Sequence, residues 1–277
     1  MPEKDIFEKL KHLKEILGEM GEVLVAFSGG ADSAFLLKVA RIVLKEKVLA
    51  VTAVSASLAP EEKEATIALA REMDVPHLLL ESHEMENPDY VKNAANRCYF
   101  CKTELYTLCV SAAAEKGFHW VADGFTADDL KDYRPGYQAK KEHDVRSPLL
   151  EAGLTKPEIR ALSRELGLKT WDKPASPCLA SRIPYGIPVT GEALGKIGRL
   201  ESFLRAKGFR EFRVRYHEKI VRLEVSSEDI ARFSMPGLRD LITAKCKEEG
   251  FEFVTLDLEG FRSGRLNEGI HSTEIMV

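Results

Sequence analysis

Residues 23–37 read VLVAFSGGADSAFLL, and the reading of this stretch decides the fold. Val23 to Phe27 are apolar and partly β-branched, the pattern of a buried strand. From Asp32 onward the residues favour helix. Ser28-Gly29-Gly30-Ala31-Asp32-Ser33 joins the two. One glycine suffices for a turn; two glycines flanked by serines and an aspartate point to a ligand. A strand that turns directly into a helix aims several backbone N–H groups at one point, and the helix dipole adds partial positive charge there. Gly29 and Gly30 permit positive φ and close approach, and Ser28 and Ser33 supply hydroxyls. Asp32 repels a phosphate but can hold Mg²⁺, which bridges to phosphates. The plain alternative is a strand–helix turn with a Ser or Asp cap. The complete hexapeptide directly after a strand favours a phosphate site at Ser28, Gly29, Gly30, Asp32 and Ser33. The pattern G-x-x-x-x-G-K-[ST] is absent.

Working outward, residues 4–20 put Ile6, Leu10, Leu13 and Leu17 on one helical face. KVLAVTAVS, PHLLLES and HWVADG read as further strands, the last ending in Gly124. Helices are expected over Asp32 to Lys45, from Pro60, over 101–116, and from Thr155, where Glu158 completes a capping-box pattern. Alternating strands and helices predict an α/β fold, a doubly wound parallel sheet covered on both faces. After Leu168 the texture changes. WDKPASPCLASRIPYGIPVTGE holds four prolines and two glycines, too many for one regular element. Beyond it a helix over 190–207, the β-rich runs FREFRVRY and KIVRLEV, more helix and FEFVTLDLEG predict a smaller α+β unit. The expected domains are 1–175, which carries the glycine loop, and 176–277, which carries the proline-rich cysteine loop. The final STEIMV is expected to be disordered.

The chain of 277 residues is 44% hydrophobic and 30% charged, as in ordinary globular proteins. Its net charge of −4 disfavours a broad basic surface for nucleic acid. No apolar run reaches the roughly 20 residues of a membrane span. MPEKDIFEKLKHLKEIL has no apolar signal-peptide core, so a cytoplasmic protein is expected.

Five cysteines in such a chain do not make a disulfide scaffold; clustered thiols in a reducing compartment bind metal or do chemistry. NRCYFCK sets Cys98 and Cys101 in a C-x-x-C pair, which by itself is a redox pair, half a zinc site, part of an iron–sulfur site, or chance. Cys178 is the only cysteine in the proline-rich loop. Three cysteines from two loops leave one iron of a cluster without a protein thiolate, or a zinc short of one ligand. Lys173 and Arg182 would favour the Cys178 thiolate, and Pro174 and Pro177 stiffen its backbone. A structural loop thiol is the bland alternative. Cys109 and Cys246 fall on helical patterns, where a small buried hydrophobe is expected.

SGGADS resembles the SGGxDS signature of the PP-loop ATP pyrophosphatases. DGFTADD, Asp123 to Asp129, looks like the segment after their fourth strand, which would bring Gly124 to the nucleotide. That resemblance implies cleavage of ATP between the α and β phosphates, with AMP placed on the substrate. Together, SGGADSAFLL, NRCYFCK, WDKPASPCLASRIPYG and GFREFRVRYH resemble the LarE family of ATP-dependent sulfur transferases, which serve nickel-pincer cofactor assembly in lactate racemase maturation. The likeness spans nearly the whole chain, and PASPCLASR is its most specific part. It implies adenylylation of a carboxylate of pyridinium-3,5-biscarboxylic acid mononucleotide, followed by conversion to a thiocarboxylate. In that family the cysteine matching Cys178 attacks the acyl adenylate, and in sacrificial members it becomes dehydroalanine. Those members lack the C-x-x-C pair. This chain instead resembles the members with a [4Fe-4S] cluster on three cysteines, here Cys98, Cys101 and Cys178, with sulfide on the open iron as the donor. A sulfide source and a homo-oligomer, trimer or hexamer, are implied as partners.

Arg213 and Arg215 share one face of a predicted strand, with Arg210 near its start. They read as a solvated face or as a phosphate grip, since arginine pairs bidentately with phosphate. The resemblance implies anion binding there where three subunits meet. Arg182 is a further candidate for the substrate phosphate, and Arg262 and Arg265 have weaker support. Two rivals remain: a PP-loop tRNA thiolase, which needs a basic patch, and a non-catalytic module that senses ATP or AMP, which has no use for Cys178.

Overall fold

Val23 to Phe27 form an unbroken apolar run, and both faces of the strand they make are buried. The computed structural model describes residues 2–131, 136–233, 235–262 and 266. In chain order its first elements are α1 (Pro2–Met20), β1 (Val23–Ala26), α2 (Ala31–Leu44), β2 (Val48–Val54), α3 (Pro60–Glu72), β3 (His77–Glu81), α4 (Pro88–Val91) and α5 (Arg97–Lys116). There follow β4 (Val121–Ala122), α6 (Gly136–Glu142), α7 (Pro148–Glu151), α8 (Lys156–Glu165), α9 (Gly191–Ala206), β5 (Phe212–His217), β6 (Ile220–Val225), α10 (Ser227–Phe233), α11 (Pro236–Glu248) and β7 (Phe253–Leu256).

The chain divides into two units. One comprises Met1–Ser55, Glu62–Glu84 and Cys98–Ser176; the other comprises Ala56–Glu61, Met85–Arg97 and Pro177–Val277. Two short early segments thus join the C-terminal unit, which a division drawn along the sequence does not capture.

The first unit is built on a parallel sheet in the order β3-β2-β1-β4. Val25 lies opposite Ala50 on one side and Ala122 on the other. Side chains alternate between faces as the strand period requires. Val23, Val25 and Phe27 join Leu13 and Leu17 of α1, Phe35 and Val39 of α2, and Ile159 and Leu162 of α8 in one core. Leu24 and Ala26 join Tyr106, Cys109, Ala112 and Ala113 of α5 in a second core on the opposite face. Each such large side chain contributes about 1.5–3 kcal/mol by burial. The sheet is therefore doubly wound, as its alternating pattern predicts. The α8 capping box is present: the Glu158 carboxylate accepts the Thr155 N–H at 2.8 Å, and Lys9 of α1 pairs with it at 2.8 Å.

The second unit is smaller and α+β, with a sheet in the order β5-β6-β7. β5 and β6 are antiparallel, and β6 and β7 are parallel. Cys246 of α11 is fully buried, as Cys109 is in the first unit. The proline-rich segment holds one short 3-10 turn, Leu179–Arg182.

Two expectations need correction. α5 begins at Arg97 rather than at residue 101, so Cys98 and Cys101 stand on a helix and not in a loop. The fourth strand keeps only Val121–Ala122, extended by a parallel bridge from Ala122 to Arg146. STEIMV and Arg265 lie outside the described residues. Among the described residues no helix is long and apolar enough to cross a membrane.

Candidate functional site

The glycine loop stands where β1 leaves the sheet. Phe27 still donates its N–H to Val51 at 2.7 Å; Ser28, next in line, is exposed. Gly29 has φ +69°, and a Cβ there would meet Thr66 Cγ2 at 2.8 Å, so only glycine fits. Gly30 is the N-cap of α2 and has no side chain with which to cap it. The Ser28 and Ser33 hydroxyls lie 3.1 Å apart; Gly30 N–H donates to Ser28 Oγ at 3.4 Å and Ser33 Oγ donates to the Gly30 carbonyl at 3.3 Å. The serines thus brace the turn, and Asp32 sits in the first turn of α2.

Gly124 packs directly on this helix start. A Cβ on it would lie 3.0 Å from Ser33 N and 3.2 Å from Ser33 Cα. Its neighbour Asp123 is buried and accepts from Tyr106 Oη at 2.6 Å, Ser147 Oγ at 2.5 Å and Phe125 N–H at 3.2 Å. Burial and the Asp123 charge push the Tyr106 phenol up. Lys140 donates to Ser147 Oγ at 2.8 Å, so a cation backs the chain of bonds. Asp129 accepts from Thr126 N–H and Thr126 Oγ1, both at 2.9 Å, and pairs with Lys156 at 2.8 Å. The acids of DGFTADD therefore build the segment that presents Gly124. The sequence pattern marked the segment but not Tyr106, Ser147 or Lys140, which lie far from it along the chain.

Lys173 is also in this unit. Its amine donates to the Gly29 carbonyl at 3.1 Å and to Glu62 at 2.7 Å. The structure thus sets this lysine on the glycine loop, whereas the sequence suggested it as a partner of the Cys178 thiolate. Arg160 fixes the approach by donating to the carbonyls of Trp171 and Lys173, both at 2.7 Å.

Cys98 and Cys101 fall in the first turn of α5, three residues apart and so on one helical face. Cys98 is exposed and Cys101 half-buried. Cys109 of the same helix is in the core, where burial pushes its thiol up to about 12.

Cys178 belongs to the second unit, where it is exposed and caps the turn Leu179–Arg182. The Leu179 N–H donates to the Ser57 carbonyl at 2.8 Å. Arg182 lies beneath, 2% exposed, and grips Glu201 through Nε at 2.8 Å and Nη2 at 2.9 Å. Its Nη1 donates to the carbonyls of Pro177 at 2.6 Å and Cys178 at 3.2 Å. Arg215 grips Glu224 at 3.0 and 2.9 Å and donates to the Ser181 carbonyl at 3.0 Å. Arg213 is drawn into the same cluster: burial, then Arg182 and Arg215, lower its pKa to about 10, against the pull of Glu201 and Glu224. Its guanidinium lies 4.6 Å from the Phe261 ring centre. The three arginines singled out in the sequence thus meet, with two glutamates among them, under the turn that carries Cys178. Glu201 and Glu224 were not singled out in the sequence: Glu201 meets Arg182 from another element, and Glu224 meets Arg215 across the β5–β6 pairing. Arg210 is exposed, and Arg262 pairs with Glu259 at 3.0 Å.

Within neither unit do three His, Cys, Asp or Glu side chains of the described residues form a group that could hold a metal ion.

No protein-family model matches the chain. Relatives align along nearly all of it. An uncharacterized protein of Synechocystis is 46% identical over 259 residues, which are 94% of this chain and 97% of the relative. The pyridinium-3,5-bisthiocarboxylic acid mononucleotide synthase of Lactiplantibacillus plantarum is 37% identical over 261 residues, 94% of this chain and 94% of the synthase. The chain belongs to the family of that synthase. An uncharacterized protein of Methanocaldococcus jannaschii is 28% identical over 261 residues, 92% of this chain and 98% of its own. Family membership thus rests on the full length, covering both the glycine-loop unit and the unit that holds Cys178.

Proposed function

We propose that this protein is an ATP-dependent sulfur transferase of nickel-pincer cofactor synthesis, which converts a carboxylate of pyridinium-3,5-biscarboxylic acid mononucleotide into a thiocarboxylate. The observation that carries the proposal is the 37% identity with the synthase over 94% of both chains. The glycine loop and the exposed thiol at the head of a braced turn support it.

A carboxylate is a poor electrophile: its charge repels nucleophiles and oxide leaves badly. The first step therefore activates it. A carboxylate oxygen attacks the α-phosphorus of ATP, and the bond to the β-phosphate oxygen breaks. Pyrophosphate leaves and the acyl adenylate remains. The α2 N-terminus and the Ser28 and Ser33 hydroxyls receive the phosphates, and Asp32 would hold a Mg²⁺ that offsets phosphate charge. Lys173, at the rim of the loop, is a cation for the departing pyrophosphate. In the second step a sulfur nucleophile attacks the acyl carbon, the bond to AMP breaks, and AMP leaves with the electron pair. Arg213 serves the substrate phosphate; Arg182 and Arg215 join it only by exchanging their glutamates for the ligand.

Cys98, Cys101 and Cys178 are soft sulfur donors, an exposed and a half-buried one three residues apart on a helix and one at an exposed turn, and their chemistry fits a [4Fe-4S] cluster held by three cysteines. Such a cluster would supply an iron without a protein thiolate, able to hold sulfide. Arg182 and Ser57 fix the backbone on both sides of Cys178, so the thiol keeps its place.

The test is anaerobic turnover of full-length protein with ATP, Mg²⁺, the dicarboxylate mononucleotide and sulfide. Pyrophosphate and thiocarboxylate in equal amounts are expected. Pyrophosphate-free protein, or release unchanged in Asp32→Asn, overturns the proposal.

A further inference from the structure

Residues 91–97 close over the segment that carries Cys178. Asn93 is fully buried at φ +57°, a left-handed conformation that asparagine tolerates. Its side-chain amide donates to the carbonyls of Pro184 at 2.8 Å and Ile187 at 2.7 Å. Its Oδ1 accepts from Arg97 Nη1 at 2.5 Å. The same Nη1 donates to the Ala180 carbonyl at 2.9 Å, and the guanidinium lies 5.8 Å from the Tyr185 ring centre. Main-chain bonds run alongside, from Gly186 N–H to Asn93 at 3.0 Å and from Val189 N–H to Val91 at 2.9 Å.

Arg97 is 2% exposed and heads the large buried side chains of the molecule. A buried guanidinium is costly unless it is fully hydrogen-bonded, and apolar side chains fill such space at lower cost. What arginine offers here is reach and charge: its Nη1 donates both to Asn93 and to Ala180, two residues past Cys178. Arg97 also opens α5, and Cys98 is the next residue in the chain. Asn93 and Arg97 belong to the unit of Cys178, and the glycine loop belongs to the other unit.

We infer that Asn93 and Arg97 form a clasp of positioning residues that holds the Cys178 turn in place within its own unit, and that sulfur transfer depends on it while adenylylation does not. The inference rests on the reading of Cys178 as a thiol of the sulfur-transfer step. Misplacing a reacting group by about 1 Å costs on the order of 100-fold in rate. A loosened clasp therefore splits the two half-reactions.

The experiment uses full-length Asn93→Gly and Arg97→Lys. Glycine takes the left-handed backbone of residue 93 without strain and removes only the amide. Lysine keeps the buried charge, but its side chain is one bond shorter and its ammonium falls short of the Nη1 position from which both bonds are made. In metal-free protein, amide exchange over Leu179–Val189 is expected to quicken about tenfold or more, with α2 unchanged. In turnover, thiocarboxylate formation falls about tenfold or more while pyrophosphate release stays within about twofold. Unchanged exchange in both variants overturns the clasp, and so does a parallel fall of both half-reactions. If one variant does not fold, the other carries both readouts. If the wild-type protein makes no thiocarboxylate, the proposed function fails, and the exchange data alone decide the clasp.

Discussion

At the scale of single residues, two glycines shape the loop at the start of α2, each for its own reason. Gly29 needs its left-handed φ and the absence of a Cβ against Thr66. Gly124 needs only the second, because its Cβ would strike the Ser33 backbone, which cannot swing aside as a side chain does. Gly124→Ala must therefore displace either the Asp123 segment or the start of α2 by a few tenths of an ångström. The expected result is ATP binding weakened about tenfold, equivalent to about 1.4 kcal/mol, with thermal stability nearly unchanged. Calorimetric titration of the variant with ATP and Mg²⁺ checks this; wild-type affinity would show that the close approach does not serve the nucleotide. Gly30→Ala is the control, since its Cβ meets nothing nearer than Ser28 Oγ at 3.5 Å. Any loss there comes from the ligand and not from the fold.

At the scale of elements, α5 holds its cysteines at different depths. Cys98 is exposed and Cys101 half-buried near the start of the helix, and Cys109 lies in the core with Leu24 and Val51. This difference in burial gives a pH prediction. Thiols of the unfolded chain ionise near about pH 8.5. Cys109 stays neutral in the fold until about 12. Its contribution to stability is therefore complete below the unfolded value and is lost as pH rises toward the folded one, at about 1.4 kcal/mol per pH unit. Urea unfolding at about pH 8 and about pH 10 should show a smaller alkaline loss in Cys109→Ala than in the wild type, whatever the cavity costs at both pH values. Equal losses would place the alkaline sensitivity elsewhere. The same helix shows where the sequence is legible and where it is not. The parallel sheet, the glycine loop and the core placement of Cys109 follow from local period and composition. The first turn of α5 does not, because NRCYFC lacks an apolar stripe and Arg97 is held by bonds to Asn93 and Ala180. For the same reason Asp123 is legible as part of a motif, while Tyr106 and Ser147, which hold it, are not. Long-range polar partners leave no period.

At the scale of the whole molecule, the proposed sulfur transfer has two routes that leave different marks on the chain. If the Cys178 thiolate attacks the acyl carbon and then loses its Cβ–S bond, the chain becomes lighter by about 34 Da, the mass of H₂S, and each molecule turns over once. If the sulfur comes from sulfide held with the help of Cys98, Cys101 and Cys178, the chain keeps its mass and turns over repeatedly. The fold bears on this choice. Removing the Cys178 sulfur needs loss of a proton from its Cα, and so a change at Cα from tetrahedral to planar. The Cys178 main chain is held by Arg182 at its own carbonyl and at that of Pro177, and by Leu179 N–H on Ser57. Such bracing opposes a change of geometry at Cα and suits a cysteine that remains a cysteine. The presence of Cys98 and Cys101 points the same way. Intact-mass measurement after a single turnover of reconstituted protein is expected to show an unchanged chain, with further product on each addition of sulfide. A stoichiometric loss of about 34 Da, mapped to Cys178, would establish the sacrificial route instead.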